Sequence, residues 1–262
     1  MPIEGTDSLG NEYRHAAFVA DRLDSLPPLT AETWARIGAA RAALGRLHQG
    51  ARFVGNVALL RQPTLRREAQ STSALEGTFA PLDEVLAADV IEQRDRSGAL
   101  AEVLNFVAAA EYGFQSVSEG HPITSALLCS IHKLLVVGTP ADTTEAGRIR
   151  TIQVAIGTRG GRVENARFVP MPAGIALNAA TQDLVDWINA AAGDATIDPV
   201  LAAALTHYQF ETLHPFNDGN GRVGRLLIVL QLLQSKVLPD SLLTVSPWFE
   251  QRRDSVTSPG VV

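Results

Sequence analysis

The chain has 262 residues, 46% of them hydrophobic, and a formal net charge of −6. This length allows one large domain or two small ones, and the acidic balance argues against broad electrostatic binding to nucleic acid. The single cysteine, Cys129, excludes an internal disulfide and indicates a reducing, cytoplasmic compartment, and neither a membrane span nor a secretory signal is evident.

The first third of the chain is predicted to be helical after an irregular start. Residues 1–29 show no clear period and end at two prolines. Apolar residues at helical spacing then predict a helix over 31–49, with Thr30 as its N-cap. A second helical segment is predicted over 54–60 and a third over 64–76, separated by a proline.

Glu76 stands out in the third of these helices. It falls in the last turn, just before Gly77, where a C′ glycine is expected. A carboxylate at that end faces the negative pole of the helix dipole, which typically costs about 0.3–1 kcal/mol. Such a local conflict is a weak indication of function, and on composition alone a simply exposed surface glutamate is the better explanation.

The remaining elements are mostly helices, which predicts an all-α fold. The last main helix is apolar on nearly every face and is therefore expected at the centre of a bundle. His132 lies on one of these helices and is interpreted as structural, with no role in a site. The predicted helices cover residues 81–92, 98–113, 124–137, 176–191, 199–213 and 222–234.

One segment, Arg148–Pro170, carries a β signal. Ile152, Val154 and Ile156 alternate with polar residues, a polar turn follows, and an apolar alternation returns toward Phe168. This pattern predicts a β-hairpin that packs on the helical body and offers a free edge to an extended segment of another chain. A surface hairpin without a function is the alternative.

The richest stretch chemically is His214–Arg225, HPFNDGNGRVGR, between two predicted helices. Its glycines let the backbone approach a ligand, and the free N–H groups of the following helix form an anion site. Arg222 and Arg225 share a helix face, which suits a polyphosphate. Asp218 is explained by a bridging Mg²⁺, and His214 can accept a proton from a hydroxyl.

Other phosphate and metal motifs are excluded. The chain contains no GxxxxGK[ST], no strand precedes the turn as in a Rossmann fold, and HExxH is missing. His207, Glu211 and His214 could form a metal triad, but their spacing is also ordinary helical spacing, and we do not predict a zinc site from it.

The stretch resembles the Fic-family signature, HxFx(D/E)GNGRxxR, at every defined position. These positions are His214, Phe216, Asp218, Gly219, Asn220, Gly221, Arg222 and Arg225. The hairpin segment is similar to the family's target-positioning flap. The stretch from Thr72 to Gly77, which contains Glu76, resembles the family's inhibitory motif, (S/T)xxxE(G/N). The resemblance covers about residues 20–254.

The resemblance implies a helical bundle with one small β-hairpin flap. It implies an enzyme that transfers AMP from ATP to a Ser, Thr or Tyr hydroxyl of a target protein and releases pyrophosphate. His214 would be the general base and Asp218 the Mg²⁺ ligand. The nucleotide would be bound by Phe216, Gly219, Asn220, Gly221, Arg222 and Arg225. The target would dock on Ile152, Val154, Ile156 and Gly157.

The resemblance also implies autoinhibition by an N-terminal helix. Glu76 would pair with Arg225 and block the γ-phosphate, and in some members the same glutamate assists removal of AMP. The implied organisation is an N-terminal segment over 1–95 with the inhibitory helix at about 64–77, and a core over 96–254. The core holds the flap (148–170) and the signature loop (214–225), and a tail covers 255–262.

Three functional hypotheses remain open from the sequence. The first is an autoinhibited protein adenylyltransferase. The second is a transferase of the same type with another donor, such as UTP, GTP or CDP-choline, because the signature contacts the phosphates and not the base. The third is a nucleotide-binding regulatory module with negligible turnover. A homodimer is left open, and neither a membrane nor a nucleic acid is expected as a partner.

Overall fold

The structure is a computed structural model that describes residues 1–6, 10–157 and 162–252. Within these residues the chain is mainly helical, as predicted. The tail over 255–262 and the turn at 158–161 lie outside the described residues. The helices are α1 (Ala31–Arg52), α2 (Ala58–Leu75), α3 (Leu82–Leu86), α4 (Gly98–Ser118), α5 (Ser125–Val136), α6 (Ile175–Gly193), α7 (Pro199–Leu213), α8 (Asn220–Gln234) and α9 (Ser246–Glu250).

α8 lies at the centre of a bundle, which confirms the prediction from its composition. Its apolar side chains from Val223 to Leu232 are nearly all buried, and they pack against α4, α5, α6 and α7. A helix without a polar face can only be stable when neighbours cover every side. The bundle therefore holds the N-terminus of α8, where the signature loop ends, in a fixed place.

The helix over 64–76 is longer than predicted. The sequence predicted two segments with a break at Pro63, but α2 runs without interruption through this proline. Its first turn is exposed, and Leu60 N–H donates to Val57 O, three residues back. Pro63 has no N–H group to donate within the helix. Because the neighbouring turn is already exposed and loosely hydrogen-bonded, the missing hydrogen bond costs little and the helix continues.

The prediction that residues 1–29 are irregular is wrong. Strands β1 (Pro2–Thr6) and β2 (Glu12–Ala16) pair antiparallel, with Gly5 opposite Tyr13. Tyr13 and Ala17 are buried against the flap, and the residues between them are more exposed. The alternation of buried and exposed residues in this pairing is short. The surface against which Tyr13 and Ala17 are buried belongs to the flap, some 150 residues away in the chain.

The flap turns back on itself as predicted, but its pairing is sparser than that of a regular hairpin. One antiparallel bridge joins Ile156 and Phe168, with Ile156 N–H donating to Phe168 O at 2.8 Å. Gly157 has a positive φ of 67°, and a short 3₁₀ turn covers Val163–Asn165. Both features bend the chain away from a continuous ladder. The two-stranded sheet of the described residues is the N-terminal one.

None of the helices in the described ranges is long and apolar enough to cross a bilayer.

Candidate active site

The signature loop begins where α7 ends. α7 covers Pro199–Leu213, as predicted, and His214 follows in a left-handed conformation with φ 50°. A histidine rarely adopts this conformation without support from its surroundings. The left-handed backbone of His214 turns the chain away from the α7 axis, so that the loop crosses to the start of α8.

The side chain of Asn220 closes the loop. Its Oδ1 accepts from Phe216 N–H at 2.9 Å, and its Nδ2 donates to Phe216 O at 2.7 Å. Asn220 is buried, so both polar atoms need these partners. The sequence placed Asn220 among the nucleotide ligands, and the structure shows that its side chain is used to hold the loop in shape.

Phe216 is the apolar anchor of the loop. Its ring is buried and stacks on the imidazole of His132 with 4.1 Å between centroids and an interplanar angle of 3°. Gly147 N–H donates to Nδ1 of His132, so the proton is on Nε2, which donates to Asp218 O. Burial lowers the pKa of His132, which favours this neutral tautomer.

His132 is thus a site residue that the sequence analysis missed. It connects α5, the start of the flap and the loop through one imidazole. Gly147 can lie this close because it has no Cβ, which would stand 2.9 Å from the Cβ of Lys133, and because its φ is 77°. A histidine followed by lysine on a helix gave no sign of this contact, since its partners lie 15 and 86 residues away.

Arg150 is the second missed residue. It is completely buried and donates to the carbonyl oxygens of Leu213, His214, Ile152 and Met171. Burial lowers its pKa to about 10, so the guanidinium remains charged at neutral pH. Arg150 therefore joins the two ends of the flap to the end of α7 and stabilises the unusual backbone of His214.

His214 is held in its neutral form. Burial, followed by the charge of Arg150, lowers the pKa of His214 to about 4. Its Nδ1 is enclosed, and the backbone of Glu211 lies close to the ring. A neutral imidazole is able to accept a proton, and the role of general base stays a prediction.

The start of α8 forms an anion site. Gly219 precedes the helix with φ 72°, and α8 has no side-chain cap on its first N–H groups. These amides and the helix dipole together favour a phosphate. Asp218 is exposed beside them, and its Oδ1 accepts from Gly219 N–H at 2.6 Å.

Arg222 is buried near the anion site and forms an ion pair with α4. Its side chain is 3% exposed, and its guanidinium forms an ion pair with Glu102 of α4 at 2.5 Å. The family resemblance implied that Arg222 binds the phosphates of the nucleotide. In this structure it neutralises Glu102, and the contact with phosphate stays a prediction.

Arg225 is paired with α2. Its Nη2 donates to Glu76 Oε1 at 2.6 Å, and its Nε donates to Thr72 Oγ1 at 2.7 Å. The Glu76 carboxylate lies directly over Gly221, where it would contact a Cβ placed on that glycine. The residues that the sequence assigned to inhibition therefore meet the residue that it assigned to the γ-phosphate.

Two features hold α2 at this position: a hydrogen-bonded C-terminal turn and hydrogen bonds between α2 and the start of α9. Gly77 has φ 97°, and Thr78 N–H donates to Ser73 O, which closes the helix in a Schellman motif. Glu68 of α2 is buried and accepts from the N–H groups of Val245 and Ser246 at the start of α9. Burial raises the pKa of Glu68.

A second acid, Glu211, lies beneath Arg225 on α7. Its Oε1 is enclosed without a partner among the described residues, and it lies against Gly224 of α8, which His207 also approaches. Burial raises the pKa of Glu211 to about 7, and burial lowers that of His207 to about 4. No cluster of three or more His, Cys, Asp or Glu that could hold a metal occurs in the described part of the chain.

The raised pKa of Glu211 predicts a pH-dependent stability. Between pH 4.5 and about 7 the folded chain binds this proton more tightly than the unfolded chain, so the free energy of unfolding falls as pH rises. Relative to wild type, Glu211→Gln is expected to be increasingly stabilised across this range, by at most roughly 3 kcal/mol above pH 7. Urea unfolding of both chains from pH 5 to 8 measures the difference.

Taking the difference removes the contributions of His207 and His214, whose lowered pKa values act in the opposite direction and are common to both chains. Parallel curves for the two chains over the whole range would contradict the burial of an uncharged Glu211.

Close packing of α7 on α8 predicts a cost for Gly224→Ala. The new Cβ would meet the Glu211 carboxylate and would lie 3.1 Å from the ring of Phe210. We expect the free energy of unfolding to fall by roughly 1–3 kcal/mol, measured in urea. Gly45→Ala is the matched control, because Gly45 is an exposed helical glycine with nothing within 4 Å, and it should stabilise slightly. Equal effects of the two changes would show that helix propensity, not packing, decides.

The flap residues assigned to target docking lie at the outer side of this site. Ile152 is 59% exposed, whereas Val154 and Ile156 are partly buried. Gln153 Nε2 donates to Pro170 O and so ties the outgoing and returning segments together. Of the apolar side chains assigned to docking, Ile152 is therefore the most accessible.

Comparison with known proteins agrees with this architecture. The sequence model of the Fic/DOC family matches residues 122–232, and that of the Fic/DOC family N-terminal region matches residues 34–115. The chain is 42% identical over 99 residues to protein adenylyltransferase fic-1 of Caenorhabditis elegans, which is 38% of this chain and 17% of that protein. It is 28% identical over 239 residues to protein adenylyltransferase Fic of Drosophila willistoni, covering 89% of this chain and 43% of that protein.

A solved structure shows the same fold. The crystal structure of a Fic family protein from Desulfovibrio desulfuricans G20 matches with a TM-score of 0.66 and 25% identity, over 88% of this chain and 66% of that one. The chain spans less than half the length of both curated relatives.

Proposed function

Because this chain belongs to the Fic/DOC family, we propose that it transfers the AMP moiety of ATP to a hydroxyl side chain of a target protein. The observation that carries the proposal is the juxtaposition of a neutral His214 with the anion site at the start of α8. A base and a phosphate site at one loop are what transfer of a phosphoryl-linked group to a hydroxyl requires.

The donor is bound mainly by backbone and by Arg225. The uncapped first turn of α8 is available to the phosphates, and Arg225 lies one helical turn further along α8 from Gly221. Arg222 and Glu102 neutralise each other below the site, so the positive potential at the loop comes from the helix N-terminus and Arg225. This arrangement recognises a polyphosphate and leaves the base unspecified.

Mg²⁺ fits the residues that are present. Asp218 places one exposed carboxylate at the mouth of the anion site. Mg²⁺ in nucleotide enzymes is generally held by one or two carboxylates together with phosphate oxygens and water. The ion would neutralise charge on the phosphates of the bound nucleotide, with Asp218 as its protein ligand.

In the transfer step, the hydroxyl oxygen of the target forms a bond with the α-phosphorus while the bond between that phosphorus and the β-phosphate oxygen breaks. His214 takes the hydroxyl proton, and pyrophosphate leaves with the electron pair of the broken bond. Arg150 holds the His214 backbone carbonyl, which keeps the imidazole at the mouth of the loop during the step.

Autoinhibition is the second part of the proposal. Glu76 occupies the space over Gly221 and neutralises Arg225, so a γ-phosphate would have to displace a carboxylate to reach the guanidinium. ATP then binds in a pose that is not productive for transfer. The pair is partly buried, so it is stronger than an exposed surface pair.

The target is proposed to dock on the flap. An extended segment of the target would pair with the outgoing strand around Val154, and the exposed Ile152 would contact its side chains. Docking through main-chain pairing explains why the sequence of the flap does not identify the target.

A mass measurement on self-modified protein tests the proposed function. The Glu76→Gly chain is incubated with Mg²⁺ and, separately, with ATP, UTP, GTP or CDP-choline. An added mass of one AMP with ATP supports the proposal, and an added mass from another donor supports the alternative transferase. Nucleotide binding by calorimetry without any covalent product from any donor would overturn transfer and favour a nucleotide-binding module.

A further inference from the structure

The N-terminal hairpin is built to pack against another part of the chain. β1 and β2 form a two-stranded sheet, which is marginally stable by itself. Across the pair, the Tyr13 ring lies over Gly5, with its hydroxyl 2.9 Å from the position of a Cβ at that glycine. Tyr13 is only 8% and Ala17 only 3% exposed, so further residues must cover them.

The covering surface is the flap. Tyr13 and Ala17 form a small apolar cluster with Val163 and Val169 of the flap. Immediately after β2, Phe18 N–H donates to Val169 O at 2.9 Å, and the Phe18 ring lies 5.9 Å from that of Phe168. The hairpin therefore extends the returning segment of the flap by both main-chain and side-chain contacts.

The flap has little internal structure to hold its shape. Its own pairing in the described residues is the single bridge between Ile156 and Phe168. The cluster with the hairpin lies mainly on the returning segment, and Ala155 of the outgoing segment packs against it as well. Ile152, at the start of the outgoing segment, stays exposed. The hairpin thus supports both segments of the flap and leaves Ile152 accessible.

The connection continues to the catalytic helix. Following Phe18, the carbonyl of Asp21 accepts from Gln209 Nε2 at 2.7 Å, and Gln209 lies on α7 five residues before His214. The N-terminal segment is consequently in contact with the flap at one point and with the helix that carries His214 at another.

We propose that residues 1–6 and 10–18 form a positioning element that holds the flap in its target-docking pose, through the cluster of Tyr13 and Ala17 with Val163 and Val169. The role in docking rests on the proposed transfer function. The support of the flap does not, so the two can fail separately.

The test compares aspartate substitutions of two neighbouring alanines in the full chain. Ala17→Asp places a charge in the cluster, whereas Ala16→Asp places the same charge at the exposed last residue of β2. Hydrogen exchange is followed for residues 2–6, 12–18, 150–157 and 162–171 and for the helices. Tyr13→Ala, which removes apolar contacts without adding a charge, replaces Ala17→Asp if that chain does not fold.

With Ala17→Asp, exchange in the hairpin and in the flap should rise at least tenfold, with the helices unchanged, and Ala16→Asp should resemble wild type. Faster exchange in the hairpin with a flap like that of wild type would overturn the proposal. Faster exchange throughout the helices would also overturn it, because the hairpin would then be a general stabilising element.

A kinetic arm tests docking in the Glu76→Gly background. Labelled ATP and increasing amounts of cell lysate protein as acceptor give the acceptor concentration at half-maximal rate. Ala17→Asp should raise this concentration at least fivefold, with the dissociation constant for ATP within twofold of the Ala16→Asp value. Unchanged half-saturation would overturn the docking role. If the Glu76→Gly background incorporates no label, the transfer function fails, and hydrogen exchange alone decides the support of the flap.

Discussion

Replacing His214 with alanine in the Glu76→Gly chain is expected to lower the rate of AMP transfer by roughly 10²–10⁴-fold, the range that a positioned general base contributes. His214 is neutral because burial and Arg150 lower its pKa, and His207, the other described histidine whose pKa falls to about 4, lies further back on α7 beside Gly224. The rate is measured as labelled AMP incorporated into protein at saturating ATP and Mg²⁺.

Binding of ATP should change little, because the phosphates are held by the start of α8 and by Arg225. Calorimetry on the same chain checks this separation of binding from transfer. His121→Ala is the matched control, since His121 is an exposed histidine in the loop between α4 and α5. Its rate should equal that of the parent chain. A His214→Ala chain that retains more than about a tenth of the rate would show that the base lies elsewhere.

Replacing Glu76 with glycine is expected to raise the transfer rate of the wild-type chain on the order of 10- to 100-fold. The estimate follows from a hydrogen bond between charged groups, which is worth about 1.5–3 kcal/mol, at about 1.4 kcal/mol per factor of ten. The change frees Arg225 and empties the space over Gly221, while Thr72 still accepts from Arg225 Nε. Self-modification with labelled ATP measures the increase.

The chain offers a close control in Glu119→Gly. Glu119 is also the C-cap of a helix, α4, and it also precedes a glycine with positive φ, Gly120. It has no arginine partner among the described residues and interacts with Gln115 and His121. Its replacement should leave the rate unchanged. An equal rise in both variants would assign the effect to loosened helix ends and would contradict a switch at Arg225.

Glu119 also shows the limit of the sequence argument about Glu76. Both glutamates occupy the same unfavourable end of a helix, one residue before a C′ glycine. The conflict with the helix dipole therefore does not distinguish them. What singles out Glu76 is the ion pair with Arg225, 149 residues further along the chain.

The signature loop was the part best predicted from the sequence. The bounds of α7 were correct, the glycine before α8 has positive φ, and Thr30 caps α1 as expected. These features depend on local chemistry, such as a cap hydroxyl, a glycine and a proline at a helix start, which a sequence states directly.

Contacts between distant segments were less accessible. His132 and Arg150 received no role because each acts on backbone atoms of other segments, and a carbonyl group carries no sequence signal. The N-terminal hairpin was missed because its buried residues face the flap and only make sense once the flap is in place.

The sequence by itself determined the helical bundle and the bounds of α7, because periodicity, capping and glycine conformations are local, and it predicted an anion site at the start of α8 and His214 as the base. Only the tertiary structure decided that the Asn220 side chain holds the loop, that Arg222 pairs with Glu102, that Glu76 lies over Gly221, and that the N-terminal strands pack on the flap. Each of these depends on which surfaces meet when α2, α4 and the N-terminal strands pack around α8, and that is set by the burial of the whole chain at once.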